Sequence, residues 1–298
     1  ERGLGGLGPI LVAMIILTVC VVSASYAQVI ERFPTGGGGY GVTSKLLGRV
    51  PGAFCGSALV VDYVLTIAIS VAAGVDQMFN FVPPEWHHWK PAAGLAGVAL
   101  LTGLNVVGVK ESVKVLLPVF LAFVVTHAAT ILYALVRNAP EAAGLGTRVA
   151  DDWSRGASEL GVWGVVLALL RAYSLGGGTY TGIEAVANGA QILAEPRART
   201  GKRTMLYMAL SLAFTAGGIL LAFTLMDVAP VGGKTLNAVL LEDLYGGWPG
   251  GGALVLAILL TEAALLLVAA QAGFVAGPRV LAHMAVDDKR YDDAVKPF

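Results

Sequence analysis

The stretch Leu160-Gly-Val-Trp-Gly-Val-Val-Leu-Ala-Leu-Leu-Arg171-Ala-Tyr-Ser-Leu-Gly-Gly-Gly-Thr-Tyr-Thr-Gly-Ile-Glu184-Ala-Val-Ala-Asn-Gly-Ala-Gln-Ile192 is long enough to cross a bilayer, yet it carries Gly176, Gly177 and Gly178 in succession at its middle. Each Gly disfavours helix by roughly 1 kcal/mol relative to Ala. Unwound backbone at membrane depth persists only where protein or a wet cavity satisfies its polar groups. The segment therefore reads as a broken helix, with free carbonyls expected near Leu175 to Gly177 and free amides near Thr179 to Thr181. Two opposed dipole ends meeting at mid-membrane suit a small ion or a zwitterion.

The rest of the chain supplies the membrane context. Of 298 residues, 56% are hydrophobic and 13% are charged, with a mean hydropathy of +0.73; a soluble domain carries roughly 25% charge. A soluble enzyme, a secreted disulfide scaffold and a nucleic-acid binder are excluded on that balance. A β-barrel is excluded as well, because Val113 to Val136 and Leu254 to Val268 are nearly continuous apolar runs instead of alternating segments. Apolar runs between Gly, Pro and charged breaks give seven spans, at about 8–30, 53–81, 92–107, 113–136, 159–191, 204–226 and 252–276. The expected class is an all-α, multi-pass protein of the cytoplasmic membrane. Cys20 and Cys55 lie in apolar runs and read as small hydrophobes. The chain opens Glu-Arg-Gly, without Met or a signal-peptide pattern, and so reads as part of a longer protein.

Lys and Arg set the orientation. Arg32, Lys45, Arg49, Lys110, Arg197, Arg199, Lys202, Arg203, Arg279, Lys289, Arg290 and Lys296 fall in alternate connections, opposite Arg2, Lys90, Arg137, Arg148, Arg155 and Lys234. Twelve face six, so the first set is expected in the cytoplasm. Net charge is zero and predicts no attraction to nucleic acid.

Intramembrane polar groups mark candidate sites. In Asp62-Tyr-Val-Leu-Thr66-Ile-Ala-Ile-Ser70 the spacing of four places Asp62, Thr66 and Ser70 along one helix face, with Tyr63 beside them. One reading is a buried Asp bonded to neighbouring hydroxyls. The other is an oxygen-lined stripe for a hard monovalent cation, or a carboxylate that gains and loses a proton. Glu184 adds negative charge one turn beyond the break, although Thr181-Gly-Ile-Glu184 also fits a capping box. His127 reads as a packed histidine, Arg171 as structural, and Glu262 either as a solvated group or as a proton relay; Gln271 is a weaker candidate. No catalytic constellation or phosphate loop appears, and no metal-ligand spacing of His and Cys.

Phe33-Pro-Thr-Gly-Gly-Gly-Gly-Tyr40, Asn105-Val-Val-Gly-Val-Lys-Glu-Ser112, Gly178-Thr-Tyr-Thr-Gly-Ile-Glu-Ala-Val-Ala-Asn-Gly189, Glu195-Pro-Arg and Ala270-Gln-Ala-Gly-Phe-Val-Ala-Gly-Pro-Arg279, in this order, resemble the amino acid–polyamine–cation superfamily. Over roughly residues 5–285 the chain looks most like the KimA-type, proton-coupled potassium importers. The resemblance implies an inverted-repeat transporter fold with broken first and sixth helices, of which residues 1–298 would supply the second to eighth. It also implies potassium and coupling groups at Asp62, Tyr63, Thr66, Ser70, Thr181 and Glu184. No cofactor is implied, the transported species being potassium and protons, and the full-length protein is expected to be a homodimer. The family's first helix, last core helices and cytosolic region are not in this sequence, so the chain by itself is not expected to transport. Amino-acid uptake and a nontransporting sensor of the same fold stay open beside potassium import. Two intramembrane acids favour a cation.

Overall fold

A computed structural model of the chain describes residues 4–33, 38–107, 113–180, 182–190 and 193–295, with backbone only at 113–116 and 288–295. Arg2, Lys110, Thr181 and Lys296, and the glycines at 36 and 37, lie outside the described residues. Among the described residues there is helix and no strand, and seven helical segments are long and apolar enough to cross a membrane.

The chain runs through α1 (Gly8–Arg32), α2 (Gly38–Leu47), α3 (Arg49–Phe79), α4 (Lys90–Val107), α5 (Val113–Arg137), α6 (Ala139–Ala142), α7 (Leu145–Leu175), α8 (Ala185–Asn188), α9 (Arg197–Leu225), α10 (Leu236–Tyr245) and α11 (Gly251–Val295). A 3-10 turn, Pro84–Trp89, joins α3 to α4 and exposes Trp86 and Trp89, as suits a membrane interface.

Two antiparallel pairs organise the bundle: α1 packs most extensively on α9, and α3 on α11. Small residues bring the partners together. A Cβ on Gly201 would stand 2.7 Å from Ile30 Cγ2, and one on Gly273 would stand 2.7 Å from Ile67 Cγ1 and 2.9 Å from the Tyr63 carbonyl. The first span thus meets the sixth and the second meets the seventh. A short helix of 10 residues connects one pair to the other at each of two places, α2 between the first and second spans and α10 between the sixth and seventh. A long–short–long unit repeated five spans later, and so entered from the opposite side, is the pattern of an inverted repeat.

Two apolar clusters close the ends. One gathers Leu240, Leu244 and Tyr245 of α10 with Val255, Ile258 and Leu259 of α11; the other gathers Ile30, Ile183, Ala187, Ala190 and Met205 around α8. Outward-facing Leu17, Val64, Leu65, Leu95, Leu100 and Val125 are exposed, and α4 has no buried residue, as expected of surfaces facing lipid.

The ion pairs sort onto the two ends of the spans that the charge count separates. Lys202 meets Glu31 at 2.5 Å on the expected cytoplasmic side, while Lys90–Asp76, Arg148–Asp227 and Lys234–Glu242 all lie on the other. In a background without Cys20 and Cys55, Lys234→Cys should react with an impermeant maleimide added outside intact cells, and Arg199→Cys only after permeabilisation. The reverse pattern would invert the topology.

Several boundaries differ from the sequence reading, among them the start of α9, at Arg197 instead of 204. α3 begins at Arg49, behind Gly48 at φ 96°, a conformation that favours glycine. α7 begins at Leu145 instead of 159, and Gly161 at φ 73° and ψ 160° turns the chain within it. The part beyond that turn, Val162 to Leu175, rises about 21 Å at 1.5 Å per residue, short of the ~30 Å core. α11 continues through Pro278 to Val295, well past 276.

Candidate functional site

The α-helix of the fifth span ends at Leu175 with Gly176 at its C-terminal cap, where the Gly176 amide donates to the carbonyls of Ala172 and Tyr173 at 3.3 and 3.1 Å. A 3-10 turn, Gly177–Tyr180, follows, and helix resumes only as the single turn of α8 with Glu184 at its N-cap. The expected pair of opposed half-helix ends is therefore replaced by a compact non-helical link. The reason is local hydrogen bonding. The Gly176 carbonyl, expected free, accepts from the Thr179 amide at 3.0 Å, and the Gly182 carbonyl accepts from Ala185 at 3.1 Å. A one-turn helix has little macrodipole to offer a ligand.

Glu184 is buried, at 8% exposure, and its carboxylate accepts from the Gly182 amide at 3.1 Å. A capping box would have Glu184 accept from the Thr181 amide; the bond to Gly182 instead closes the turn that leads into α8. Thr181, the other half of the expected box and a candidate ligand, lies outside the described residues. One carboxylate oxygen takes the amide, so lone pairs of the other stay available to a cation.

On α3 the buried face is formed by Tyr63, Thr66 and Ser70, whereas Asp62 is exposed at its edge. Asp62 is still within electrostatic reach of Glu184, and the phenols of Tyr26 and Tyr63 feel both charges. The Thr66 hydroxyl is buried without a hydrogen-bond partner among the described residues. Asp62, Tyr63, Thr66 and Ser70 together give α3 a run of oxygen groups, the donor chemistry of hard cations.

Asn188 ties the pieces together and was not singled out by the sequence reading. Its side-chain amide donates to the Tyr63 hydroxyl at 2.9 Å, fixing α8 against α3. α2 closes over the same side chain: a Cβ at Gly38, which has φ 45°, would overlap the Asn188 amide oxygen. At least one member of the glycine run 36–39 is thus required by a close approach. Tyr63, Asn188 and Gly189 line a cavity of about 680 Å³ that also touches Tyr40, Gln271, Arg279 and His283. At its mouth Tyr40 donates to Asp287 at 3.1 Å, and burial pushes the Tyr40 phenol above its ordinary value.

A second cavity, of about 930 Å³, lies between α1, α5, α7, α9 and α11, and is bordered at one end by Gly176, Thr179 and Ile183. At another it reaches His127, Asn237 and Glu262. Gln271 faces Asn105 of α4 in a reciprocal amide pair at 2.8 and 2.9 Å, and Arg171 is exposed. Among the described residues no three His, Cys, Asp or Glu side chains gather as a metal-ion cluster would require.

Residues 3–289 match the family model described as amino acid permease. The potassium transporter KimA of Bacillus subtilis (strain 168) is 31% identical over 280 residues, which cover 94% of this chain and 44% of that protein. The chain thus spans less than half the length of the curated relative it matches. Seven apolar helices, a break in the fifth span and a family match over nearly the whole length lead to one assignment: the chain belongs to the amino acid permease family, a family of membrane transporters within the superfamily its motifs resemble.

Proposed function

We propose that this chain forms part of a proton-coupled potassium importer, with the ion held between the fifth-span break and α3. What supports this reading is the pair of acids on neighbouring segments, buried Glu184 after the break and Asp62 on α3 within its electrostatic reach, with the buried hydroxyls of Tyr63, Thr66 and Ser70 on the same helix as Asp62. A dehydrated monovalent cation needs several oxygen ligands and net negative charge near it. Glu184 and Asp62 supply the charge. The orphaned Thr66 hydroxyl and, from the sequence, Thr181 supply neutral oxygens. The 31% identity to a potassium transporter supports the same cargo.

Amino-acid uptake is the second reading, favoured by the family description and by the cavity of about 930 Å³ bordering the break. Small-molecule sites occupy roughly 300–1,000 Å³, so an amino acid fits there by size. The deciding experiment is rubidium uptake by the full-length protein in cells lacking their own potassium uptake, with and without a protonophore and with unlabelled amino acids as competitors. Rubidium entry that the protonophore abolishes and amino acids leave untouched supports potassium import. Entry of a labelled amino acid without rubidium uptake overturns it in favour of the permease.

A further inference from the structure

Apart from the break, one buried polar cluster reaches the larger cavity. Glu262 lies in the apolar span Gly251–Asp287 of α11 and meets the last turn of α3. One of its oxygens, Oε1, accepts from Gln77 Nε2 of α3 at 2.9 Å and from Asn237 Nδ2 of α10 at 2.5 Å. Gln77 is held in turn: its own side-chain oxygen accepts from Thr235 at 2.9 Å and from Asn80 at 3.1 Å. The carboxylate is thereby aimed by three helices.

Its other oxygen, Oε2, is buried with no hydrogen-bond partner among the described residues and lies 3.9 Å from Nε2 of His127 on α5. His127 is 4% exposed, and its Nδ1 is 2.9 Å from the Phe123 carbonyl. A carbonyl only accepts, so Nδ1 carries the hydrogen and a neutral ring turns the lone pair of Nε2 toward Glu262. Two acceptors then stand 3.9 Å apart. A buried, unmatched carboxylate oxygen is costly. A single proton relieves the conflict, whether it resides on the ring or on the carboxyl, because a donor then faces an acceptor.

The side chains hydrogen-bonded to Glu262 from the neighbouring helices, Gln77 of α3 and Asn237 of α10, carry no charge. The nearby charges on α3, α4 and α10, namely Asp76, Lys90 and Glu242, belong to partly exposed ion pairs, Asp76 with Lys90 and Glu242 with Lys234. The other titratable side chains of the cavity wall are the phenols of Tyr173 on α7 and Tyr207 on α9.

We propose that Glu262 and His127 form a binding site for one proton on the wall of the central cavity, separate from the oxygen cluster at Glu184, and that its loading from outside drives uptake. The second half rests on the proton-coupled reading above. The first half stands without it.

The test has a transport arm and a spectroscopic arm, both on the purified full-length protein in liposomes. Wild-type rubidium uptake should fall about tenfold per pH unit once the outside pH passes the midpoint of a single titrating group. Glu262→Gln should remove that dependence, Glu262→Asp should restore it with a moved midpoint, and His127→Gln should also move it. Glu262→Gln uptake that keeps the wild-type pH profile overturns the coupling. The pH-induced infrared difference spectrum should contain a protonated-carboxyl or imidazolium band that is absent from both Glu262→Gln and His127→Gln. A band unchanged in both variants overturns the proton site itself. Wild-type liposomes that carry no rubidium at any pH would refute the potassium reading, while the spectrum would still decide the site.

Discussion

Glu184→Gln in the full-length protein is expected to lower rubidium uptake about a thousandfold, with the same amount of protein in the membrane. A unit charge about 4 Å from a cation is worth about 4 kcal/mol at an effective dielectric of 20, and each 1.4 kcal/mol is about tenfold in occupancy. Glutamine keeps the shape and can still cap α8, so the loss isolates the charge. Asp62→Asn should lower uptake less, because Asp62 stands at the edge of the buried face of α3 instead of within it. Asp62 is exposed and Glu184 is 8% exposed, which is why the two carboxylates are expected to differ. Uptake by Glu184→Gln within threefold of wild type would reduce Glu184 to a helix cap.

The second large effect is structural. Gly273→Val should lower the melting temperature in detergent sharply, with a loss of several kcal/mol in the α3–α11 contact. Overpacking by a methylene group or two already costs about 1–3 kcal/mol. Here the added Cβ alone meets the Tyr63 backbone oxygen at 2.9 Å, which no rotamer change relieves. Gly277→Ala, one turn further along, is the control: its Cβ would meet the Tyr63 side chain at 3.8 Å, an ordinary contact, so its melting temperature should stay near wild type. Equal behaviour of the two variants would mean that the helices separate freely at Tyr63.

What the sequence made legible follows from the physics of single helices. Length and hydropathy located all seven spans. Gly161 and Pro278 misled the boundaries, because a turn inside a helix and a tolerated proline are both decided by neighbours. The stripe on α3 was read one residue off. Steps of four rotate about 40° each, so a line through Asp62, Thr66 and Ser70 drifts around the helix, and packing against α11 selects Tyr63, Thr66 and Ser70 instead. At the break, glycine composition reported the cost of helix and not the turn bonds that replace it. Asn188 and the meeting of His127 with Glu262 were beyond reach, since each joins helices far apart in sequence.

The pairing of α1 with α9 and of α3 with α11 has a mechanical consequence. Each pair behaves as a stiff bar clamped along its length by glycines, and the cavity of about 930 Å³ touches a member of both. Tilting one bar against the other would widen that space on one side of the membrane and pinch it on the other without disturbing either clamp.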